Sequence, residues 1–306
     1  MRFIAIAAGF QTTCALEAAG TLVCWGNSTF TASYGLTPQR VAAPEPFVSR
    51  SAGSAQYCGV ATTGAGYCWG LNEPGQVGDG TTINRSTPTA VLGGLRWRTI
   101  QSGPVNNTRG HNCGITVDDR AYCWGNNASG QVGSSLGFGA FGASAIVATP
   151  VPVAGAPPLV EISAGLLTTC GVAAGSTGQL LCRGAGYRGN GTTSNSSGSF
   201  TPVLVDAGVA YRAISAGGGG TTCGITAAAS QVRCWGTNTY GRVGDGTEDD
   251  RLVPVPVQGL GAVSSVSTGF FSCAVTMSGG VACWGQLQAP GDGTRAIRTT
   301  PTAVAP

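Results

Sequence analysis

The sequence predicts an all-β fold: a six-bladed β-propeller of four-stranded antiparallel blades, with one intra-blade disulfide each. Three observations predict it. A unit of about fifty residues recurs six times, each unit carries two cysteines, and a Cys-Trp-Gly tripeptide marks the second cysteine in five copies.

The cysteines set the phase of the repeat. They fall into order as Cys14 with Cys24, Cys58 with Cys68, Cys113 with Cys123, Cys170 with Cys182, Cys223 with Cys234, and Cys273 with Cys283. Successive first cysteines stand roughly 44 to 57 residues apart, which is the size of a propeller blade. Trp25, Trp69, Trp124, Trp235 and Trp284 follow the second cysteines, and Arg183 takes that place in the fourth copy. A small residue and a glycine precede each first cysteine: Ala8-Gly9, Ala52-Gly53, Ser102-Gly103, Ala164-Gly165, Ala216-Gly217 and Thr268-Gly269. Pro38, Pro88, Pro150, Pro202 and Pro254 each stand 15 positions ahead of the last five of those glycines. Insertions avoid that segment, so it must be structurally constrained.

Each unit reads as four short strands. The first is a run of small residues such as 213–216 or 162–164; the second carries the first cysteine, as in Cys14-Ala15-Leu16. The third carries the second cysteine, as in Leu22-Val23-Cys24-Trp25, and the fourth is the valine-rich run after the proline, as at 254–257. Short β-rich runs broken by glycine and turn residues suit an antiparallel meander. Small side chains suit the crowded position nearest a propeller axis, and closure of the ring limits exposed edges. The expected blades are residues 1–40, 41–90, 91–153, 154–205, 206–257 and 258–306 of a single domain spanning 1–306. Each copy is expected to build one whole blade, with no outer strand exchanged between the termini.

Composition excludes several classes. Charged residues make up only 9%, against 42% hydrophobic, which argues against solvated disorder. All 16 basic residues are arginine, scattered along a chain of net charge +3, which is a poor footprint for nucleic acid. No stretch approaches the roughly twenty apolar residues of a membrane span. Twelve cysteines at regular spacing point to an oxidising compartment, extracellular, periplasmic or at the cell surface. Residues 1–10 faintly resemble an export leader, but they fit the repeat and are read as folded protein, so an export signal would lie upstream.

The unit resembles the repeat of the regulator of chromosome condensation family. The family pattern runs Ala-Gly, His-x-Cys/Ala-Ala-Leu, Gly-x-Val-x-x-Trp-Gly, then Asn-x-x-Gly-Gln-Leu-Gly. Here Gly75-Gln76-Val77-Gly78-Asp79-Gly80-Thr81 follows Trp69-Gly70, and Gly241-Arg242-Val243-Gly244-Asp245-Gly246-Thr247 follows Trp235-Gly236. The match covers essentially the whole chain. It implies a propeller, usually of seven blades, and the cysteine pairing looks more like the secreted bacterial branch than the nuclear exchange factor.

The repeated constellations read mainly as structure. Cysteines directly opposed in a hairpin, at a non-hydrogen-bonded pair, sit within reach of a disulfide, and the longer spacings of the fourth and fifth pairs fit in the turns. Free buried thiols are the next reading. Zinc needs close Cys-x-x-Cys pairs converging in fours, so no metal is expected. The repeated tryptophans read as packing between neighbouring sheets, and Trp97, aligned with Tyr211, also reads as structural. Asp79 with Arg85, Asp245 with Arg251, and Asp292 with Arg298 share one spacing and read as loop clamps, since one carboxylate per loop is too few for calcium. His111 is the only histidine, and neither a nucleophile nor an orienting acid accompanies it in a motif. No catalytic residue and no cofactor are expected.

Loop length is the clue to function. From the glycine after the tryptophan to the proline, copies two, four and five run 18 residues, copy one 12 (Gly26 to Pro38) and copy three 25 (Gly125 to Pro150). Copy three also has five extra residues between Gly103 and Cys113. In a four-strand meander both of these loops emerge on one side, and variable loops on a rigid scaffold are where binding surfaces form. Asn106, Asn107, Arg109, Leu136, Phe138 and Phe141 are the candidate partner-binding residues. A self-packed surface loop without a ligand is the competing reading. The expected function is a secreted or surface protein-binding scaffold, an adhesion, recognition or inhibitor module, monomeric and without catalytic activity. The alternative is a guanine-nucleotide exchange or chromatin-binding factor like the family's founder.

Overall fold

The computed structural model describes residues 2–9, 12–26, 34–104, 109–140, 142–175, 177–194, 198–285 and 292–305. The fold is a six-bladed β-propeller in which every blade is a four-stranded antiparallel sheet of consecutive strands. No α-helix occurs among the described residues. The chain divides into two compact units, Met1–Pro158 and Leu159–Pro306.

The first unit holds three blades. Blade one is β1 (Phe3–Ala8), β2 (Thr12–Glu17), β3 (Leu22–Gly26) and β4 (Gly35–Arg40). Blade two is β5 (Phe47–Ala52), β6 (Gln56–Ala61), β7 (Gly66–Gly70) and β8 (Arg85–Ala90). Blade three is β9 (Trp97–Ser102), β10 (His111–Thr116), β11 (Ala121–Asn126) and β12 (Ile146–Pro152).

The second unit holds the other three. Blade four is β13 (Leu159–Ala164), β14 (Thr168–Ala173), β15 (Leu180–Gly184) and β18 (Val203–Val205), with a small hairpin, β16 (Gly186–Tyr187) and β17 (Thr193–Ser194), between its last two strands. Blade five is β19 (Tyr211–Ala216), β20 (Thr221–Thr226), β21 (Val232–Gly236) and β22 (Arg251–Pro256). Blade six is β23 (Val263–Thr268), β24 (Phe271–Thr276), β25 (Val281–Gly285) and β26 (Arg298–Ala303).

Register explains the disulfides. In every blade the two cysteines are directly opposed across the second and third strands, as Cys14 is to Cys24 and Cys170 to Cys182. All six pairs are bonded, and no free cysteine remains among the described residues. The bridged residues are 10 apart in four blades, 12 in blade four and 11 in blade five. The extra residues lengthen the turn and leave the opposition intact.

The repeated prolines lie inside the fourth strand in blades one, two, three and five, where the sequence suggested that the strand begins after them. The fourth strand is the outer edge of its sheet, so a missing N–H there breaks no ladder on its free side. Its register also shifts opposite the motif tryptophan, between Cys24 and Gly26 in blade one and at the same place in blades two, three, five and six. The edge strand bulges where the indole leaves the sheet.

Blades adhere through that indole. Trp69 packs into the face of blade one among Cys14, Leu16, Leu22, Cys24 and Phe47. Trp124 enters blade two's face against Cys58, Val60, Cys68 and Val77, Trp235 blade four's, and Trp284 blade five's. All four tryptophans are 0% exposed. Three find an acceptor for their N–H: Trp69 donates to the Tyr34 hydroxyl (3.1 Å), Trp124 to the Gln76 carbonyl (2.7 Å) and Trp284 to the Arg242 carbonyl (2.8 Å). The Trp235 N–H has no acceptor among the described residues. Gln76 and Arg242 lie in the Gly-x-Val-Gly turn. In blade four that turn, Gly186-Tyr187-Arg188-Gly189, comes three residues sooner after the third strand and is displaced.

First strands of neighbouring blades do not pair, so their polar groups need other partners. The Phe47, Trp97, Tyr211 and Val263 amides donate to the carbonyls of Gly20, Gly64, Gly178 and Ser230, in the hairpin turn of the preceding blade. Further along, serines bridge: the Ser102 amide donates to Ser51 Oγ, Ala216 to Ser163 Oγ and Thr268 to Ser215 Oγ, at 2.8–3.0 Å. The small residues of the first strand therefore bond as well as fit. Trp97 is buried and structural, as its alignment with Tyr211 implies. Its ring lies over Gly114, where an added Cβ would approach it to 2.6 Å.

One carboxylate between blades four and five makes stability pH-dependent. Burial pushes Glu161 up to about 7, against the backbone bond from Ile214 and the nearby Arg212 charge. A carboxyl whose folded pKa is raised stabilises fully below its unfolded value, about 4.3, and loses that contribution as pH rises through the folded value. Glu161→Gln should therefore raise the melting temperature relative to the parent at pH 8 and leave the difference near zero at pH 4. Paired thermal melts at the two pH values check this, and equal shifts at both would exclude it.

Candidate binding face: the loops of blade three

The loop after the third strand is built on an asparagine two residues past the motif glycine. In blade two Asn72 Nδ2 donates to Asp79 Oδ1 and to the Thr81 and Ile83 carbonyls, while its Oδ1 accepts from the Val77 amide. Asn238 repeats this in blade five, with Asp245, the Thr247 carbonyl and the Val243 amide. The Asp then grips an arginine: Asp79 with Arg85 at 2.6 Å, Asp245 with Arg251 at 2.5 Å, and in blade six Asp292 with Arg298 at 2.6 Å. Burial opposes ionisation of Asp79 and Asp245, but the threonine hydroxyl and the guanidinium outweigh it and hold both carboxyls below the usual range. The clamp expected from the shared spacing is thus a closed structural device.

Blade three keeps the asparagine and loses the clamp. Asn127 Nδ2 donates to the Ser134 and Leu136 carbonyls (2.8 and 2.6 Å), and its Oδ1 accepts from the Val132 amide at 2.9 Å. Ser134 stands in the place of the clamping Asp, and buried Val147 in the place of its arginine. The longer loop closes instead through backbone bonds, Asn127 amide to Ala145 carbonyl (2.8 Å) and Gly139 amide to Ala128 carbonyl (3.1 Å). Gly137, Gly139 and Gly142 turn the chain at φ of 70°, 73° and 59°, a region that strains any other residue. The asparagine and these backbone bonds tie the two ends of the loop together.

The predicted residues fare differently. The Leu136 side chain is 59% exposed, while its carbonyl accepts from Asn127. Arg109, just ahead of β10, is exposed, and Phe138 is half-buried. Asn106, Asn107 and Phe141 lie outside the described residues. His111 is fully buried at the start of β10, in a structural setting. Sequence reasoning missed Asn127; the signal was there, because Asn72, Asn127 and Asn238 share one phase.

A second recess lies in the other unit, between blades four and five. It is a hollow of about 170 Å³ lined by Leu166, Leu167, Thr168, Tyr187, Thr222 and Thr237 with neighbouring glycines. Between blades two and three the positions of Thr168 and Thr222 hold Gln56 and Asn112, whose amides bond each other at 2.7 Å and fill the space. Small side chains and the displaced turn leave the hollow open here. Tyr187 at its rim donates to the Asp250 carboxylate. Among the described residues no group of three or more His, Cys, Asp or Glu could hold a metal ion, and no helix is long and apolar enough to cross a membrane.

Four-stranded blades, an interlocking tryptophan from each blade to the one before it within a unit, and an asparagine-centred loop define a disulfide-bonded β-propeller repeat protein. Two family models described as the regulator of chromosome condensation (RCC1) repeat match the chain, one at residues 63–104 and 231–275, the other at 3–31 and 109–131. Those four segments match the repeat of that family. It is similar to the human E3 ubiquitin-protein ligase HERC2, 28% identical over 280 residues, covering 87% of this chain and 6% of that protein. It is also similar to the Arabidopsis thaliana ultraviolet-B receptor UVR8, at 26% over 225 residues, 72% of this chain and 48% of the receptor. The chain thus spans a small part of the first of these relatives and about half of the second. Among solved structures, Prp20p from Saccharomyces cerevisiae superposes with a TM-score of 0.82 at 18% identity, over 99% of this chain and 77% of that one. Human WBSCR16 does so with 0.82 at 19%, over 99% and 82%.

Proposed function

We propose that the chain is a single propeller domain, residues 1–306, that binds another protein through the two long loops of blade three and has no catalytic activity of its own. The observation that carries this reading is the loop at residues 127–145. It keeps the asparagine base of its counterparts, discards their closing clamp, and presents an exposed Leu136 side chain whose carbonyl is held by Asn127. A preorganised base lowers the entropic cost of binding, and an exposed apolar side chain with a fixed backbone suits an interface anchor. Arg109, at the end of the neighbouring loop, supplies a planar donor for an acidic group. Asn106, Asn107, Phe138 and Phe141 complete the proposed edge.

The expected setting is the cell exterior, the periplasm or the cell surface, as a monomer of the secreted bacterial type. Six disulfides and the absence of lysine support that setting over a nuclear one. Prp20p is described by its binding to Gsp1p and histones, a precedent for protein binding by this fold. Low charge makes the exchange-factor or chromatin reading the weaker alternative.

Deleting residues 136–143 tests the proposal. Loop length changes stability only slowly, so the deletion should melt within a few degrees of the parent. Capture from the organism's extracellular fraction should then yield a partner bound at least tenfold more weakly by the deletion. Equal affinity in a well-folded deletion would place the site elsewhere.

A further inference from the structure

At two blade junctions one backbone carbonyl serves two donors. Between blades two and three the Gln76 carbonyl accepts from the Trp124 indole N–H and from Asn112 Nδ2, each at 2.7 Å. Between blades five and six the Arg242 carbonyl accepts from the Trp284 N–H at 2.8 Å and from the Ser272 hydroxyl at 3.1 Å. Asn112 and Ser272 stand directly opposite their tryptophans across the second and third strands, and Thr222 stands opposite Trp235 in the same way. Between blades four and five the carbonyl is missing from its place. The turn around Tyr187 is paired into the small hairpin β16–β17, and the N–H of Trp235, a side chain 0% exposed, has no acceptor among the described residues.

A second difference lies beside it. Gln56 Nε2 donates to Asn112 Oδ1 (2.7 Å) and to the Gly103 carbonyl (3.0 Å), so a pair of carboxamides closes the junction between blades two and three. Thr168 and Thr222 replace that pair between blades four and five, and they line the hollow of about 170 Å³. Thr168 Oγ1 spends its hydrogen on the Ala185 carbonyl at 2.8 Å and keeps its lone pairs as acceptors. The Gly217 carbonyl, counterpart of Gly103, lies 3.4 Å from where a Cβ on Gly165 would stand, so it looks across the same junction. Leu166 and Leu167 are half-buried and Gly220 is exposed, so the hollow is reached from solvent.

We propose that this hollow binds a primary carboxamide, from an asparagine or glutamine side chain of another protein or from a free small amide. The chain itself shows the fit, because the equivalent junction holds two such groups. A carboxamide brings one acceptor oxygen and two N–H donors. The oxygen answers the Trp235 N–H and the Thr222 hydroxyl; the donors answer the Gly217 carbonyl and Thr168 Oγ1. A carboxylate would bring no donor to that carbonyl, and an alkyl group would leave the buried indole N–H unsatisfied.

The test is a titration of the protein followed through the proton–nitrogen cross-peaks of its indoles, with acetamide and the tripeptide Gly-Asn-Gly as the two probes. The Trp235 peak should move saturably, with a dissociation constant on the order of millimolar for a group of so few atoms, while the other indole peaks stay in place. Tighter binding of the tripeptide would assign the amide to a protein partner, and tighter binding of acetamide to a free small molecule. N,N-dimethylacetamide, which keeps the oxygen and lacks the donors, should bind at least tenfold more weakly. Thr168→Gln combined with Thr222→Asn rebuilds the amide pair from the chain, and should raise the melting temperature and abolish both titrations. A Trp235 peak that follows neither probe, or that moves equally with the dimethyl compound, would overturn the proposal and leave the hollow to water. Undiminished binding to the folded double variant would overturn it too, and the titration of the parent decides alone if that variant does not fold.

Discussion

Reduction of all six disulfides should unfold the chain at room temperature. Each bridge closes a loop of 10 to 12 residues, which in the chain-entropy account contributes about 2–3 kcal/mol. Six such contributions match or exceed the net stability of an ordinary domain, about 5–15 kcal/mol. Reduction should also proceed in order. The cysteines of blades one to five are fully buried under packed faces, whereas Cys273 in blade six is half-buried. The Cys273–Cys283 bridge should open first and alone under mild reductant, followed by cooperative loss of the rest. Thiol counting by mass spectrometry beside tryptophan fluorescence reads both. A fully reduced chain that keeps its native fluorescence would show that packing alone sustains the blades.

Trp124→Ala should cost about 3–5 kcal/mol, the range for truncating a large aromatic in a core. The indole is fully enclosed by blade two's face, its ring centroid is 5.5 Å from that of Trp97, and its N–H bonds the Gln76 carbonyl. Truncation leaves a cavity between two sheets and removes one of the two donors to that buried carbonyl, the other being Asn112 Nδ2 at 2.7 Å. Trp25→Ala, at the half-buried counterpart, should cost clearly less. Denaturant midpoints for the two variants decide it, and equal losses would mean that the indoles are not what holds neighbouring blades together.

Most of the fold was legible because the repeat shows one constraint several times. A cysteine pair alone is ambiguous; six pairs in phase with tryptophan, glycine and proline leave few architectures. The candidate site was legible only as a length difference. That copy three is long could be read from Gly125 and Pro150. That Asn127 organises the base, that Phe138 is half-buried, and that Leu136 exposes its side chain while Asn127 holds its carbonyl could not.

Blade number, strand order and cysteine pairing were determined by the sequence itself, because each depends on local spacing: opposed residues in a hairpin follow from turn length, and turn length is written in the chain. Tertiary structure alone decided how each tryptophan is used and which are left over. The same Cys-Trp-Gly yields a satisfied indole at Trp124, an N–H without an acceptor among the described residues at Trp235 and a half-buried ring at Trp25. Burial is a property of the neighbouring blade, and no spacing within a repeat records what that neighbour supplies.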